Sequence, residues 1–260
     1  MIVENEFRVL LDTDANAQEL YRRAVDQLAD RDRVMGLARS VGGEPLEDVL
    51  RTNAHTARVA GRNLALVYPE VARINHACNP NSLVRFVPSK LMMEVVAVRD
   101  ITPGEEITIT YIKDGLVSSD RKDSLAAFNF QCQCPLCAAT HDETSASDRN
   151  RRRIKEILIL LDRVGRGHAG IDLASVQQLA SEMLALAEKE NLGPSTVKRY
   201  NHDLMRIFYE QGDVSSAIRY AKESLLLSEE FDGPEDADGL QKTLRRNLEL
   251  LREHLPTEDR

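Results

Sequence analysis

Phe130-Gln131-Cys132-Gln133-Cys134-Pro135-Leu136-Cys137 sets three thiols in C-x-C-x-x-C spacing, and Asn75-His76-Ala77-Cys78-Asn79-Pro80-Asn81 holds the fourth and last cysteine of the chain. Three sulfurs carried on one turn of backbone can converge on a point, and tetrahedral zinc takes four ligands. Cys78 as the fourth would use every cysteine present; His141, four residues after Cys137, is the rival. A shell of four thiolates has no open position, so the metal would fasten the chain and would not activate water. The competing reading is a buried thiol at Cys78 beside a redox-sensitive triplet.

Compartment supports the metal. Met1-Ile2-Val3-Glu4 lacks a basic stretch followed by an apolar run, and nothing in the sequence approaches the ~18–20 apolar residues that span a bilayer. The expected location is therefore intracellular, in nucleus and/or cytoplasm, where thiols stay reduced and a set of four reads as ligands before disulfides. Apolar residues make up 42% of the 260 and charged residues 29%, as in an ordinary globular chain of one large domain or two small ones. Aromatics are 5% with no tryptophan, and the net charge is −8. Residues 1–140 hold 16 basic and 19 acidic groups, and residues 141–260 hold 18 and 23, so no general nucleic-acid surface is implied.

Outward from the two motifs, residues 15–50 read as helical, with Leu20, Ala24, Leu28, Val34, Leu37 and Ala38 near a 3.6 period and a break at Gly42-Gly43-Glu44-Pro45. Residues 64–111 read as short strands: Leu83 to Val87, a turn at Pro88-Ser89-Lys90, Leu91 to Val98, a turn at Thr102-Pro103-Gly104-Glu105, then Ile107 to Tyr111. His141 to Asn150 is polar without apolar periodicity and reads as a linker and domain boundary. Beyond it every stripe is helical, broken at Gly193-Pro194, Gly212-Asp213 and Gly233-Pro234. The basic run Arg149 to Arg153 is expected to be a solvated face of the first of these helices. The pair around Gly212-Asp213, with Phe208 before the turn and Ala217 after it, loosely resembles a tetratricopeptide unit; an ordinary helical bundle is the alternative.

The motifs together resemble SET-domain protein lysine methyltransferases. Asn75 to Asn81 is similar to their N-H-S-C-x-P-N signature, with Ala77 where serine is usual. Gly104-Glu105-Glu106-Ile107-Thr108-Ile109-Thr110-Tyr111 is similar to their G-E-E-L-T-x-x-Y element, and the cysteine triplet to their post-SET zinc segment. The order of parts most resembles the SET and MYND (SMYD-like) branch, although four assigned cysteines leave none for a MYND finger.

The resemblance implies an α+β fold: a SET domain over residues 1–112, of small, mostly antiparallel sheets with a helical insert at about 15–50; a post-SET zinc segment at 113–140; and an all-α, tetratricopeptide-like domain at 150–260. The signature segment is expected to thread in knot-like fashion beside Tyr111. By motif position Asn75 and His76 contact S-adenosylmethionine, Asn53 helps hold its methionine portion, Phe130 packs near its adenine, and Tyr111 stands at the methyl-transfer channel. Zn2+ at Cys78, Cys132, Cys134 and Cys137 is structural. The implied partner is a protein substrate through a lysine side chain, with a partner peptide at the helical domain and neither nucleic acid nor membrane. Family members carry a glycine-rich G-x-G segment ahead of an I-x-x-E strand; here Met1 to Glu6 is similar to that strand with nothing before it, and Gly165-Arg166-Gly167 is out of order. Poor cofactor binding by the polypeptide as given is the expectation. The alternative function is an inactive SET remnant acting as a scaffold through its helices.

Overall fold

The computed structural model describes residues 2–4, 15–39, 44–59, 62–168, 170–233 and 239–253. Gly42 and Gly43 of the expected break, Pro234 and the flanks Met1, Asn5 and Glu6 lie outside the described residues. By their contacts the residues divide into two compact units, one formed by 1–76, 81–109 and 122–132, the other by 77–80, 110–121 and 133–260.

The first unit holds three small sheets. β1 (Ile2–Glu4), β2 (His55–Val59) and β3 (Arg62–Leu66) form an antiparallel sheet in the order β1-β3-β2, with Ile2 opposite Leu66 and His55 opposite the same residue on the other side. β5 (Ser82–Val87) and β6 (Met92–Ala97) form a hairpin with Arg85 opposite Glu94. The expected turn at Pro88-Ser89-Lys90 is a single 3-10 turn, closed by Leu91 at φ 48°. β4 (Asn75–His76) and β7 (Thr108–Ile109) pair in parallel; the other pairings among the described residues are antiparallel, in line with the mostly antiparallel expectation. β7 is two residues long where the alternation of Ile107 to Tyr111 predicts five.

Between β1 and β2 run α1 (Ala15–Asp26), α2 (Arg31–Met35) and α3 (Pro45–Asn53), so the predicted helical insert is three short helices. Asp30 caps α2 by accepting from the Arg33 amide at 3.0 Å, and Pro45 starts α3, where its missing N–H is not needed. Tyr21, Val34, Leu37, Val49, Leu50, Val67 and Ala72 make this unit's apolar core. α4 (Ser118–Ala126) spans both units by chain position.

In the second unit a one-turn helix, α5 (Pro135–Ala138), precedes α6 (His141–Gly165), α7 (Leu173–Lys189), α8 (Pro194–Glu210), α9 (Val214–Phe231) and α10 (Leu240–Glu253). The breaks at Gly193-Pro194 and Gly212-Asp213 fall between helices as expected, and Asp213 caps α9 by accepting from the Ser216 amide at 3.0 Å. Phe208 of α8 stacks on Tyr220 of α9 at 5.2 Å between centroids, and Ala217 and Ala221 are fully buried. Small side chains on α9 let the pair approach closely, and the core continues through Ile157, Leu161, Met183, Leu204 and Leu244. Among the described residues no helix is long and apolar enough to cross a membrane.

One expectation is corrected here. His141 to Asn150 is no linker: it is the first ten residues of α6. Thr140 and Glu143 form a capping box, the Thr140 side chain accepting from the Glu143 amide at 3.4 Å while the Glu143 carboxylate accepts from the Thr140 amide at 2.9 Å. Apolar periodicity is missing from this half of the helix because its buried face is polar, with Asp148 and Arg151 in register ahead of Ile154, Ile157 and Leu161. Arg151, expected on a solvated face, is 3% exposed. Its guanidinium meets Glu190 at 3.0 Å.

Truncating Phe208 to alanine is expected to lower the unfolding free energy by ~3–5 kcal/mol. Leu226→Ala on the exposed face of α9 should stay within ~0.5 kcal/mol in the same urea titration.

Candidate functional site

The site is built on Asn81. Its side chain is 1% exposed, and a buried amide must fill its donors and acceptor or lose ~1–3 kcal/mol. The amide nitrogen donates to the Glu106 carbonyl at 2.8 Å and to Glu105 Oε1 at 3.0 Å. Its carbonyl oxygen accepts from the Thr108 amide at 2.9 Å and the Ser82 hydroxyl at 3.2 Å. The end of the signature segment is thereby sewn to 105–108, which fixes the register in which Asn75 pairs with Thr108 and His76 with Ile109. Glu105 also accepts from both Arg99 nitrogens and from the Thr102 amide at 3.2 Å. The Arg99 guanidinium, then Asn81 and Thr102, draw its carboxyl down from an ordinary 4.5 to about 2. Gly104, at φ +89°, makes the turn that allows Glu105 to reach back.

The residues proposed from the motifs are placed as follows. His76 is buried and meets the Phe130 ring edge-on, 6.1 Å between centroids at 61°. Phe130 is aimed by Asn129, which takes a left-handed φ of 55° after the last turn of α4. Asn75, next to His76, is exposed, and its amide donates to Glu106 Oε1 at 2.6 Å. The fold thus brings His76 and Phe130 together, while the Asn75 side chain turns to Glu106. Asn53 belongs to the same unit, at the end of α3, 5% exposed. Its amide nitrogen lies 3.2 Å from the Leu37 carbonyl, 3.1 Å from that of Val49 and 2.8 Å from the Thr52 hydroxyl. Tyr111 follows β7 by two residues, is partly exposed, and belongs to the second unit. Asn81, Glu105 and Arg99 received no role from sequence reasoning. The available signal was the pairing of an asparagine that ends one motif with consecutive glutamates that begin the next.

The four thiols converge. One sulfur each from Cys78, Cys132, Cys134 and Cys137 lies within 4.8 Å of the others, and all four cysteines are free of disulfides. Local backbone explains the triplet: Cys134 caps α5, and its carbonyl accepts from the Cys137 amide at 2.9 Å, folding the third thiol back onto the second. Cys78 Sγ stands 3.5 Å from Cys137 Sγ. Zinc–thiolate bonds of ~2.3 Å in a tetrahedron set sulfurs about 3.8 Å apart, so the cluster fits that ion. Hydrogen bonding with Cys134, burial and the contact with Cys137 push the Cys78 thiol upward. His141, the rival ligand, is fully exposed beside Asp142 and outside the cluster.

Comparison with known proteins agrees with this architecture. Residues 6–112 match the SET domain family, and part of the chain is similar to SMYD lysine methyltransferases. Among its relatives, the N-lysine methyltransferase SMYD2 of Bos taurus is 30% identical over 153 residues, 58% of this chain and 33% of that protein. SMYD2 of Homo sapiens is 37% identical over 87 residues, covering 33% of this chain and 19% of its own length. The histone-lysine N-methyltransferase SMYD3 of Homo sapiens is 32% identical over 92 residues, 35% of this chain and 21% of that protein. The chain spans about a third or less of the length of these relatives.

Because Glu105 is held at about 2 in the fold against 4.5 ordinarily, its stabilisation is complete above the higher value and is lost as pH falls through the lower. Urea midpoints measured from pH 6 downward should therefore fall less steeply for Glu105→Gln than for the unaltered chain in the window from about 4.5 to about 2.

Proposed function

We propose that this chain is the catalytic SET portion of an S-adenosylmethionine-dependent protein lysine N-methyltransferase with a structural zinc. The observation that supports the reading is the pairing of β4 with β7 inside the segment that matches the SET domain family, with His76 of β4 against the Phe130 ring. Amide, imidazole and aromatic groups suit a ligand with amino-acid and adenine ends. Asn75 and His76 would hold the cofactor, Phe130 would cover its adenine, and the Asn53 carbonyl oxygen, on an amide anchored through its nitrogen, would face its methionine portion. When bound, S-adenosylmethionine supplies an electrophilic methyl group on a sulfonium.

What the chain must do is present a neutral lysine amine. At a reference pKa of about 10.4 the amine is ~3–4 units from neutrality at pH 7, a cost of ~4–5 kcal/mol that exclusion of water from the amine can offset without a strong base. The Tyr111 hydroxyl then orients the amine by hydrogen bonding, a positioning effect more than proton abstraction. Cys78, Cys132, Cys134 and Cys137 would hold Zn2+ as a structural ion, with no part in the chemistry. The substrate is a protein, and the helices α6 to α10 would flank it or receive a partner peptide.

Tyr111→Phe is expected to lower kcat for methyl transfer about 100-fold with little change in KM, read with labelled cofactor on a lysine-containing protein mixture. Unchanged turnover would remove Tyr111 from the site. Metal analysis should find one zinc per chain, and Cys134→Ser should abolish it; retention of zinc by that variant would refute the four-thiolate assignment.

A further inference from the structure

We propose that the buried Arg151–Glu190 pair is a positioning element that holds two segments in place, the Ala77–Pro80 loop carrying Cys78 and the stretch after Tyr111. Both segments and the pair lie in the second unit. Arg151 is 3% and Glu190 6% exposed, and a charged pair that deep persists only when its remaining donors and acceptors are filled. The Glu190 carboxylate accepts from Arg151 Nε at 3.0 Å, Asn150 Nδ2 at 2.6 Å and the Ser147 hydroxyl. Arg151 has two further reaches: one terminal nitrogen donates to the Leu116 carbonyl and the other to the Glu190 carbonyl, each at 3.4 Å.

These two carbonyls are where the segments attach. Leu116 lies five residues after Tyr111, and its carbonyl also accepts from Arg121 at 3.0 Å. Glu190 ends α7, so its carbonyl has no partner within the helix; Asn79, the neighbour of Cys78, donates to it at 3.4 Å. Neighbouring contacts reinforce the stretch, with the Asp114 carboxylate accepting from the Gly193 amide at 2.6 Å and Asp148 accepting from the Ser118 amide at 2.7 Å. A core that needed stability alone would be served as well by apolar side chains at 151 and 190. What the ions add is reach, since only a guanidinium joins both carbonyls at once.

The test replaces the pair by apolar residues of similar size, Arg151→Met with Glu190→Leu, which keeps the helices packed while removing the reach. The matched control is Arg153→Met with Glu182→Leu, a two-bond pair at 2.7 and 2.8 Å between the same helices that touches neither segment. Amide hydrogen exchange should quicken about tenfold or more at 77–80 and 113–118 in the first variant, with the interior of α8 and α9 unchanged, and stay as in the unaltered chain in the control. Competition with a chromophoric chelator should show Zn2+ affinity about 10-fold weaker in the first variant and unaltered in the control. Asn79→Ala should reproduce the effect at 77–80 alone. Equal exchange in both segments between the variant and the unaltered chain would overturn the proposal. If the unaltered chain took up no Zn2+, the metal reading would fall, and the exchange rates would still decide this one.

Discussion

A buried amide cannot be left half satisfied, and the sheet region of this protein is arranged around the one at Asn81. Its two donors and one acceptor draw on Glu105, Glu106, Thr108 and Ser82, so a single side chain fixes the distance between the signature segment and the strand that follows the Gly104 turn. The pairing of β4 with β7 is only two residues long and contributes too few backbone hydrogen bonds to set its own register. The register is imposed from outside by Asn81, and with it the placement of His76 against Phe130. Glu105 is in turn kept ionised by Arg99, so the clamp rests on a charge that neutral pH always supplies.

Polar burial organises the second unit in the same way. α6 begins on a capping box and presents Asp148 and Arg151 to the interior before its apolar stripe starts. Burial alone would raise the Asp148 carboxyl, yet two hydrogen bonds from Ser118 outweigh it and leave the group lowered, hence charged. Tyr200 and Tyr220 are shifted upward by burial and stay neutral, as packing residues should. The helical unit therefore combines an ordinary apolar core with an ionic patch at one end of α6.

Much of this was legible in the amino-acid string. The hairpin β5–β6, the turns flanking it and the stripes of α7 to α10 follow from period and punctuation, because each is a local pattern whose buried face is apolar. The convergence of four thiols was legible from spacing and count, since one isolated cysteine and a triplet exhaust the complement. What failed was the first half of α6, where Ser147, Asp148 and Arg151 do the work of core residues. Their partners, Glu190 and Ser118, lie some thirty or forty positions away, and no window of sequence shows that a charge has its complement so far along the chain. The Thr140–Glu143 capping box, which starts the helix, went unread in the sequence. β7 came out shorter than its alternation suggests, and just past it the Thr110 hydroxyl donates to the Ile112 carbonyl at 2.8 Å, a local turn in place of a ladder.

The parallel pairing also has a kinetic side. Asn75 and His76 meet Thr108 and Ile109 across more than thirty residues, and two ladder positions repay little of the entropy lost in closing so long a loop. The β5–β6 hairpin lies within that loop and joins neighbouring residues, Val87 to Met92 first and Ser82 to Ala97 last. Once zipped, it carries residue 81 to within 2.9 Å of the amide of Val98 and shortens the remaining search to a few residues. By loop-closure entropy the connectivity favours an order in which the local hairpin forms before Asn81 closes and before β4 and β7 come into register.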